Sequence, residues 1–102
     1  MAPAADEATA LLKALANPHR LMIACSLTGG EMSVGALSDA LGVSETVVSQ
    51  HLAVMRRERL LSPRRDGQTI YYSITHPAAR AVVEVLSAHF CTAKTAPRAR
   101  GG

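Results

Sequence analysis

The chain of 102 residues has no tryptophan, one phenylalanine and two tyrosines, so aromatic side chains make up only 3% of it. A core made from what remains must be aliphatic, rich in alanine, valine and leucine. That suits closely approaching helices and disfavours an all-β sandwich. Cysteine is as scarce: Cys25 and Cys91 are too few and too far apart for the disulfide framework of a small secreted domain. No uninterrupted apolar run approaches the ~20 residues of a membrane span. The opening MAPAADEATA has neither the basic nor the apolar region of a secretory signal. The expectation is a cytoplasmic protein with no membrane partner, in which any disulfide is a redox device rather than a permanent staple and each cysteine can otherwise be a small buried hydrophobe. Phosphate-binding loops and nucleophile–base spacings are also missing, so neither an enzyme nor a cofactor is expected.

What is present fits one domain. Hydrophobic residues are 48% of the chain, enough for a modest core whose surface a dimer would help to cover. The net charge of +3 and pI near 9.3 are unremarkable by themselves; placement says more. Five of the 11 basic residues, Arg56, Arg57, Arg59, Arg64 and Arg65, fall in one ten-residue window opposed there only by Glu58. Such a concentration is an electrostatic footprint for phosphate, although a charge run can also be a solvated face.

Immediately before that window, Ser33 to Arg57 reads as two short helices broken at Gly42-Val43-Ser44, a helix-turn-helix pattern. Val34, Leu37 and Leu41 mark one face of the first, with Ser33 as its cap and Gly42 as its stop. Ser44 can cap the second. There Val47, Val48, His51, Leu52 and Met55 share one side, and Thr46, Ser49, Gln50, Ala53, Arg56 and Arg57 share the other. The second arc is short, polar and basic and holds no carboxylate. Ser, Thr and Gln reach base edges, and Arg holds guanine or phosphate. The plain alternative is a helical hairpin with a solvated face. His51 lies on the apolar side, as a hydrogen-bonded packing residue would.

Upstream, residues 1–7 are expected to be a disordered lead. Asp6 or Glu7 then opens a helix with an apolar stripe of Ala8, Leu11, Leu12 and Leu15. Ala16-Asn17-Pro18 interrupts it, and Pro18 starts a second helix running to Leu27, ended by Gly29-Gly30. Downstream, Asp66-Gly67 between two extended runs signals a hairpin, with Pro63 holding the first strand at an edge. Ile70, Tyr72 and Ile74 alternate with Thr69, Tyr71 and Ser73, so one face packs on the helices. A basic hairpin following a recognition helix is a wing, with Arg64, Arg65 and Gln68 placed along the DNA backbone or minor groove. Pro77 then opens a last helix in which Ala79, Val82, Val83, Leu86 and Phe90 share a face and Val85 adds apolar area elsewhere. This is more than docking on its own domain requires, so part of it should meet a partner. Residues 94–102 form an expected flexible basic tail, leaving residues 8–93 as the folded domain.

The order helix, helix, helix-turn-helix, wing, helix resembles the winged-helix ArsR/SmtB family of bacterial repressors. LLKALANPHRLMIACSL is similar to its opening helices, SVGALSDALGVSETVVSQHLAVMRRERLL to its helix-turn-helix, and RRDGQTIYYSI to its wing. The resemblance implies a mainly helical winged helix-turn-helix fold, α-α-α-α-β-β-α. It also implies a homodimer joined by its first and last helices, here with Leu11, Leu15, Val82 and Leu86 in the interface. Such a dimer binds a palindromic operator, with Ser44, Thr46, Ser49, Gln50, Arg56, Arg57, Arg64, Arg65 and Gln68 as the DNA-binding set, and releases it when an inducer arrives.

Most members sense metals, but the matching positions here lack the ligands. Where arsenic and cadmium sensors of the family carry cysteines, this chain has Ser33 and Gly35. The zinc-type spacing on the last helix falls on Ile74, His76, Ser87 and Phe90, which is no ligand set. No metal is expected, and His76 and His89 read as a cap-region residue and a helix-surface residue. Cys25 and Cys91 instead resemble, through RLMIACSL and HFCTA, the dithiol of the BigR/SqrR-like members that sense persulfides and polysulfides. That resemblance implies a repressor whose inducer is a reactive sulfur species. A peroxide-sensing repressor using the same thiols, and a winged-helix protein-interaction module that binds no DNA, are the competing readings.

Overall fold

A computed structural model describes residues 2–91 of the chain, the side chains of Ala2 and Cys91 excepted; the expected tail, 94–102, lies outside the described residues. The elements run α1 Ala2–Leu15, α2 Pro18–Leu27, β1 Met32–Ser33, α3 Val34–Leu41, α4 Glu45–Arg57, β2 Leu61–Asp66, β3 Thr69–Ile74 and α5 Pro77–Leu86. A π-helical turn, Ser87–Cys91, continues α5. This is the winged helix-turn-helix arrangement, with a short third strand added to the wing.

Four helices start on side-chain caps, each satisfying backbone N–H groups that have no partner within the helix. Asn17 Oδ1 accepts from His19 N at 2.9 Å and Arg20 N at 3.1 Å, and Pro18 fills the next position, where no N–H is missed. Ser33 Oγ accepts from Ala36 N and Ser44 Oγ from Val47 N, both at 3.1 Å. His76 Nδ1 accepts from Ala78 N at 3.2 Å and Ala79 N at 3.4 Å, which makes it the cap of α5. At the turn of the helix-turn-helix, Gly42 takes the left-handed conformation (φ 72°), and its N–H closes on Ser38 O.

Helix α1 begins at Ala2, ahead of the expected opening at Asp6 or Glu7, so residues placed in the disordered lead are exposed helical turns. Alanine at positions 2, 4, 5, 8 and 10 favours the helix, and Pro3 is tolerated within its first turn. The apolar stripe also sits differently. Leu11, Ala14 and Leu15 are buried, whereas Ala8 is exposed and Leu12 is 54% exposed, because the buried face is centred on the i, i+3, i+4 set.

The core is aliphatic as composition required: Ile23 and Leu27 of α2, Leu37 of α3, Val48, Leu52 and Met55 of α4, and Val83 of α5 are all nearly or fully buried. Tyr72 and Ile74 of β3 close it from the sheet side. Strand β3 is central, antiparallel to β2 on one side and to β1 on the other, with registers Pro63↔Tyr72, Arg64↔Tyr71 and Ser33↔Tyr71. Pro63 thus sits on an edge strand. The hairpin loop is Gly67-Gln68 rather than Asp66-Gly67, since Asp66 pairs with Thr69; positive φ at Gly67 alone (66°) fits a turn with glycine in the first central position.

Phe90, placed by helical spacing on one apolar face with Ala79, Val82, Val83 and Leu86, is 65% exposed. The π-helical turn adds a residue per turn and shifts the phase, so the i+7 step from the fully buried Val83 no longer returns to the core.

Candidate nucleic-acid interface

The recognition arc of α4 is laid out as its wheel requires. Thr46, Ser49, Gln50, Ala53, Arg56 and Arg57 are all exposed, while Val48, Leu52 and Met55 anchor the opposite side in the core. Ser44 is exposed but its oxygen is engaged as the helix cap. Among the residues of the helix, only Glu45, at its first position, carries a carboxylate.

Helix α4 ends in a backbone device. Arg59 N donates to Arg56 O and Leu60 N to Met55 O, both at 2.9 Å, with Arg59 in the left-handed conformation (φ 62°). This is the Schellman arrangement, here with arginine where glycine is usual. It turns the chain sharply so that Leu60 and Leu61 enter the core and the wing rises beside α4.

On the wing, Arg65 and Gln68 are exposed. Arg64 is engaged. Its Nε donates to Glu31 Oε1 and Oε2 at 3.1 and 3.0 Å, and Nη2 also meets Oε1. Asp66 Oδ2 lies 4.0 Å from Nη1, and the guanidinium rests over the Tyr71 ring, 5.0 Å from its centroid. The Arg64 hydrogen bonds hold the Glu31 carboxyl below the usual carboxylate range, and Glu31 in turn raises the Arg64 pKa. Neither Glu31 nor Tyr71 was among the expected interface residues. The ion pair joins residues remote in sequence, and the pairing of β1 and β2 with β3 brings them within reach of one another.

Behind α4, His51 is half-buried, its ring 5.4 Å from that of His19 and its Nδ1 3.5 Å from Arg20 Nη1. Arg20 also donates through Nε to Ala14 O at 2.6 Å, holding the end of α1. Burial, then the neighbouring Arg20 and His19, pushes the His51 pKa down. His51 is therefore a packing residue between α2 and α4, facing away from the exposed arc.

Among the described residues, no three His, Cys, Asp or Glu side chains converge as a metal site would require. Ser33 and His76 are helix caps, Ile74 is buried and His89 is exposed. Cys25 is half-buried against the core. Its helix α2 packs on α5, and Cys91 terminates the π-helical turn that continues α5. Of the expected dimer residues, Leu11 and Leu15 are spent in the chain's own core, and Val82 and Leu86 are half-buried. Leu12 and Val85 remain exposed at 54% and 58%. A groove of about 360 Å³, lined mainly by Ala8, Leu11, Leu12, Ala78 and Val82, runs between α1 and α5. No helix among the described residues is long and apolar enough to cross a membrane.

Comparison with known proteins converges on one group. The model of bacterial regulatory proteins of the arsR family matches residues 17–62, which span α2, the helix-turn-helix and the first residues of the wing. The transcriptional activator HlyU of Vibrio cholerae is 42% identical over 87 residues, 85% of this chain and 81% of that protein. Its structure superposes with a TM-score of 0.86 at 41% identity, covering 89% of this chain and 99% of that one, and its reduced form gives 0.85. The transcriptional repressor BigR of Xylella fastidiosa matches with a TM-score of 0.79 at 39% identity over 85% of this chain and 89% of its own. The homodimeric winged helix-turn-helix DNA-binding domain Mb0332 of Mycobacterium bovis matches at 0.78 and 30% identity, covering 89% and 84%. With its fold, the exposed polar arc of α4 and 42% identity over 81% of HlyU, the chain belongs to the ArsR family of transcriptional regulators, DNA-binding proteins rather than enzymes.

Proposed function

We propose that this chain is a cytoplasmic, homodimeric repressor that holds a palindromic operator through α4 and the wing and releases it when Cys25 and Cys91 are joined through inserted sulfur. The observation that carries the DNA-binding half is the exposed arc Thr46, Ser49, Gln50, Arg56 and Arg57, polar, basic and free of carboxylates, with Arg65 and Gln68 exposed on the wing beside it. The dimer is supported by the apolar groove between α1 and α5 and by the exposed Leu12 and Val85. Leu11 and Val82 line that groove, and Leu15 and Leu86 lie on the same two helices.

The sulfur half is supported by the placement of the two cysteines on α2 and on the continuation of α5, elements that pack together. One thiolate attacks an inner sulfur of a polysulfide chain, displaces sulfide or a shorter polysulfide, and becomes a hydropolysulfide, Sγ–S–S⁻. The second attacks the sulfur bound to the first Sγ and expels the terminal sulfur as hydrosulfide. The result is Sγ–S–Sγ, with the thiols oxidised and polysulfide sulfur reduced. An added sulfur lengthens the reach beyond the ~7 Å Cα separation that a plain disulfide tolerates. Tying α5 to α2 changes the geometry of a dimer built on α5 and with it the spacing of the two recognition helices.

Intact mass after polysulfide or hydrogen peroxide, run beside an operator-release assay, tests this. Loss of two hydrogens with gain of one or more sulfur masses, together with release, is the expected result. Release by peroxide alone would assign the thiols to oxidation sensing, and a normal response in Cys25→Ser or Cys91→Ser would end the paired-thiol mechanism.

A further inference from the structure

The wing contains an acidic residue aimed at its own DNA-contacting arginine. Glu31 stands just before β1, which pairs with β3 opposite to β2, so that Ser33, Tyr71 and Arg64 form one row across the sheet. From the position just before β1, Glu31 takes the Nε/Nη2 edge of Arg64 with both carboxylate oxygens. That edge is one an arginine offers to a phosphate in bidentate fashion. Asp66 stands 4.0 Å from the remaining Nη1. Around Arg64, then, two carboxylates face one guanidinium, and the free wing presents Arg65 as its uncommitted cation.

We propose that Glu31 is a built-in competitor for DNA phosphate: it occupies Arg64 in the free protein and must surrender the guanidinium before Arg64 can hold the backbone. This rests on the reading of the wing as a DNA contact. The pair suits such an exchange. Its side chains are 54% and 38% exposed, and an ion pair open to water is weak enough for a phosphate to displace. Tyr71 keeps the guanidinium on the wing's surface while the anion changes, since the ring lies under its face and does not use its edges. Opening the pair leaves Glu31 to recruit a cation from solution, which offsets part of the counterion release that drives binding. The wild-type protein is therefore less salt-sensitive, and weaker on any DNA, than its arginine count suggests.

Anisotropy of a fluorescein-labelled duplex of mixed sequence, titrated over a salt series, tests the proposal with four proteins: the parent, Glu31→Gln, Arg64→Gln and the double variant. Glu31→Gln is expected to bind several-fold tighter, with a salt slope steeper by up to about 0.9, the contribution of one phosphate contact. In the Arg64→Gln background the same substitution should give no comparable gain. Weaker or unchanged binding by Glu31→Gln would make the pair a mere staple of the sheet and overturn the proposal. An equal gain with and without Arg64 would reduce it to general charge repulsion and overturn it as well. Those failures differ from failure of the underlying reading, which would show as Arg64→Gln binding as tightly as the parent.

Discussion

Replacing Arg59 by glycine should stabilise the protein, and the expected size follows from one dihedral angle. Arg59 holds φ 62° at the position where the Schellman arrangement ends α4. A left-handed conformation costs an L-residue roughly 1–2 kcal/mol through the clash of Cβ with the carbonyl that follows it. Glycine escapes that clash but loses about 0.5–1 kcal/mol more entropy on folding. The balance favours Arg59→Gly by about 0.5–1 kcal/mol. For a domain of this size 1 kcal/mol moves Tm by roughly 4–8 °C, so a rise of about 2–8 °C is expected. Arg59→Ala is the control, because it removes the same charge and keeps the Cβ. Thermal unfolding followed by circular dichroism at matched protomer concentration makes the comparison, since a dimer's Tm depends on concentration. If the glycine variant melts no higher than the alanine variant, Arg59 does not carry the strain attributed to it.

Three further outcomes follow from the same geometry. Gln50→Ala, on the exposed arc, should weaken operator binding by about 1–3 kcal/mol and narrow its margin over a scrambled duplex, whereas Arg65→Ala should weaken both duplexes alike; equilibrium titration of each separates them. Leu37→Ala should cost about 2–5 kcal/mol in urea unfolding, because Leu37 is fully buried where α3 meets the core. Stability should fall as pH drops through the ordinary histidine value of 6.5, since the lowered native pKa of His51 lets the unfolded chain take up its proton first. The decline stops once native His51 is protonated too, and urea midpoints across this range should be flatter in His51→Gln.

The helices were legible because their ends are written locally. Asn17-Pro18, Ser33, Ser44 and Gly42 are read from neighbours within four residues, and each does in the structure what its chemistry allows. The exposed polar arc of α4 was legible for the same reason, since a wheel needs only spacing. What escaped was set by distance or by phase. Strand β1 is two residues long and exists through its pairing with Tyr71 and Tyr72, far along the chain. The Glu31–Arg64 pair depends on that strand and was hidden with it. The phase of Phe90 relative to Val83 was not legible because nothing in Ser87–Cys91 announces a π-helical turn, nor was the exposure of Leu12, because an apolar helix position does not say whether its own core or a partner covers it.

The scarcity of aromatic residues gives the molecule an optical property. With no tryptophan, its intrinsic fluorescence comes from two adjacent tyrosines, both on β3, the central strand of the wing. Tyr72 is buried in the core, while Tyr71 is half-buried beneath the Arg64 guanidinium. The unlabelled protein therefore carries its own reporter at the Arg64 guanidinium, where the proposed competition between duplex and Glu31 would take place. Emission that changes on adding duplex, without any change in the far-ultraviolet dichroism, would follow the arginine as it changes partners.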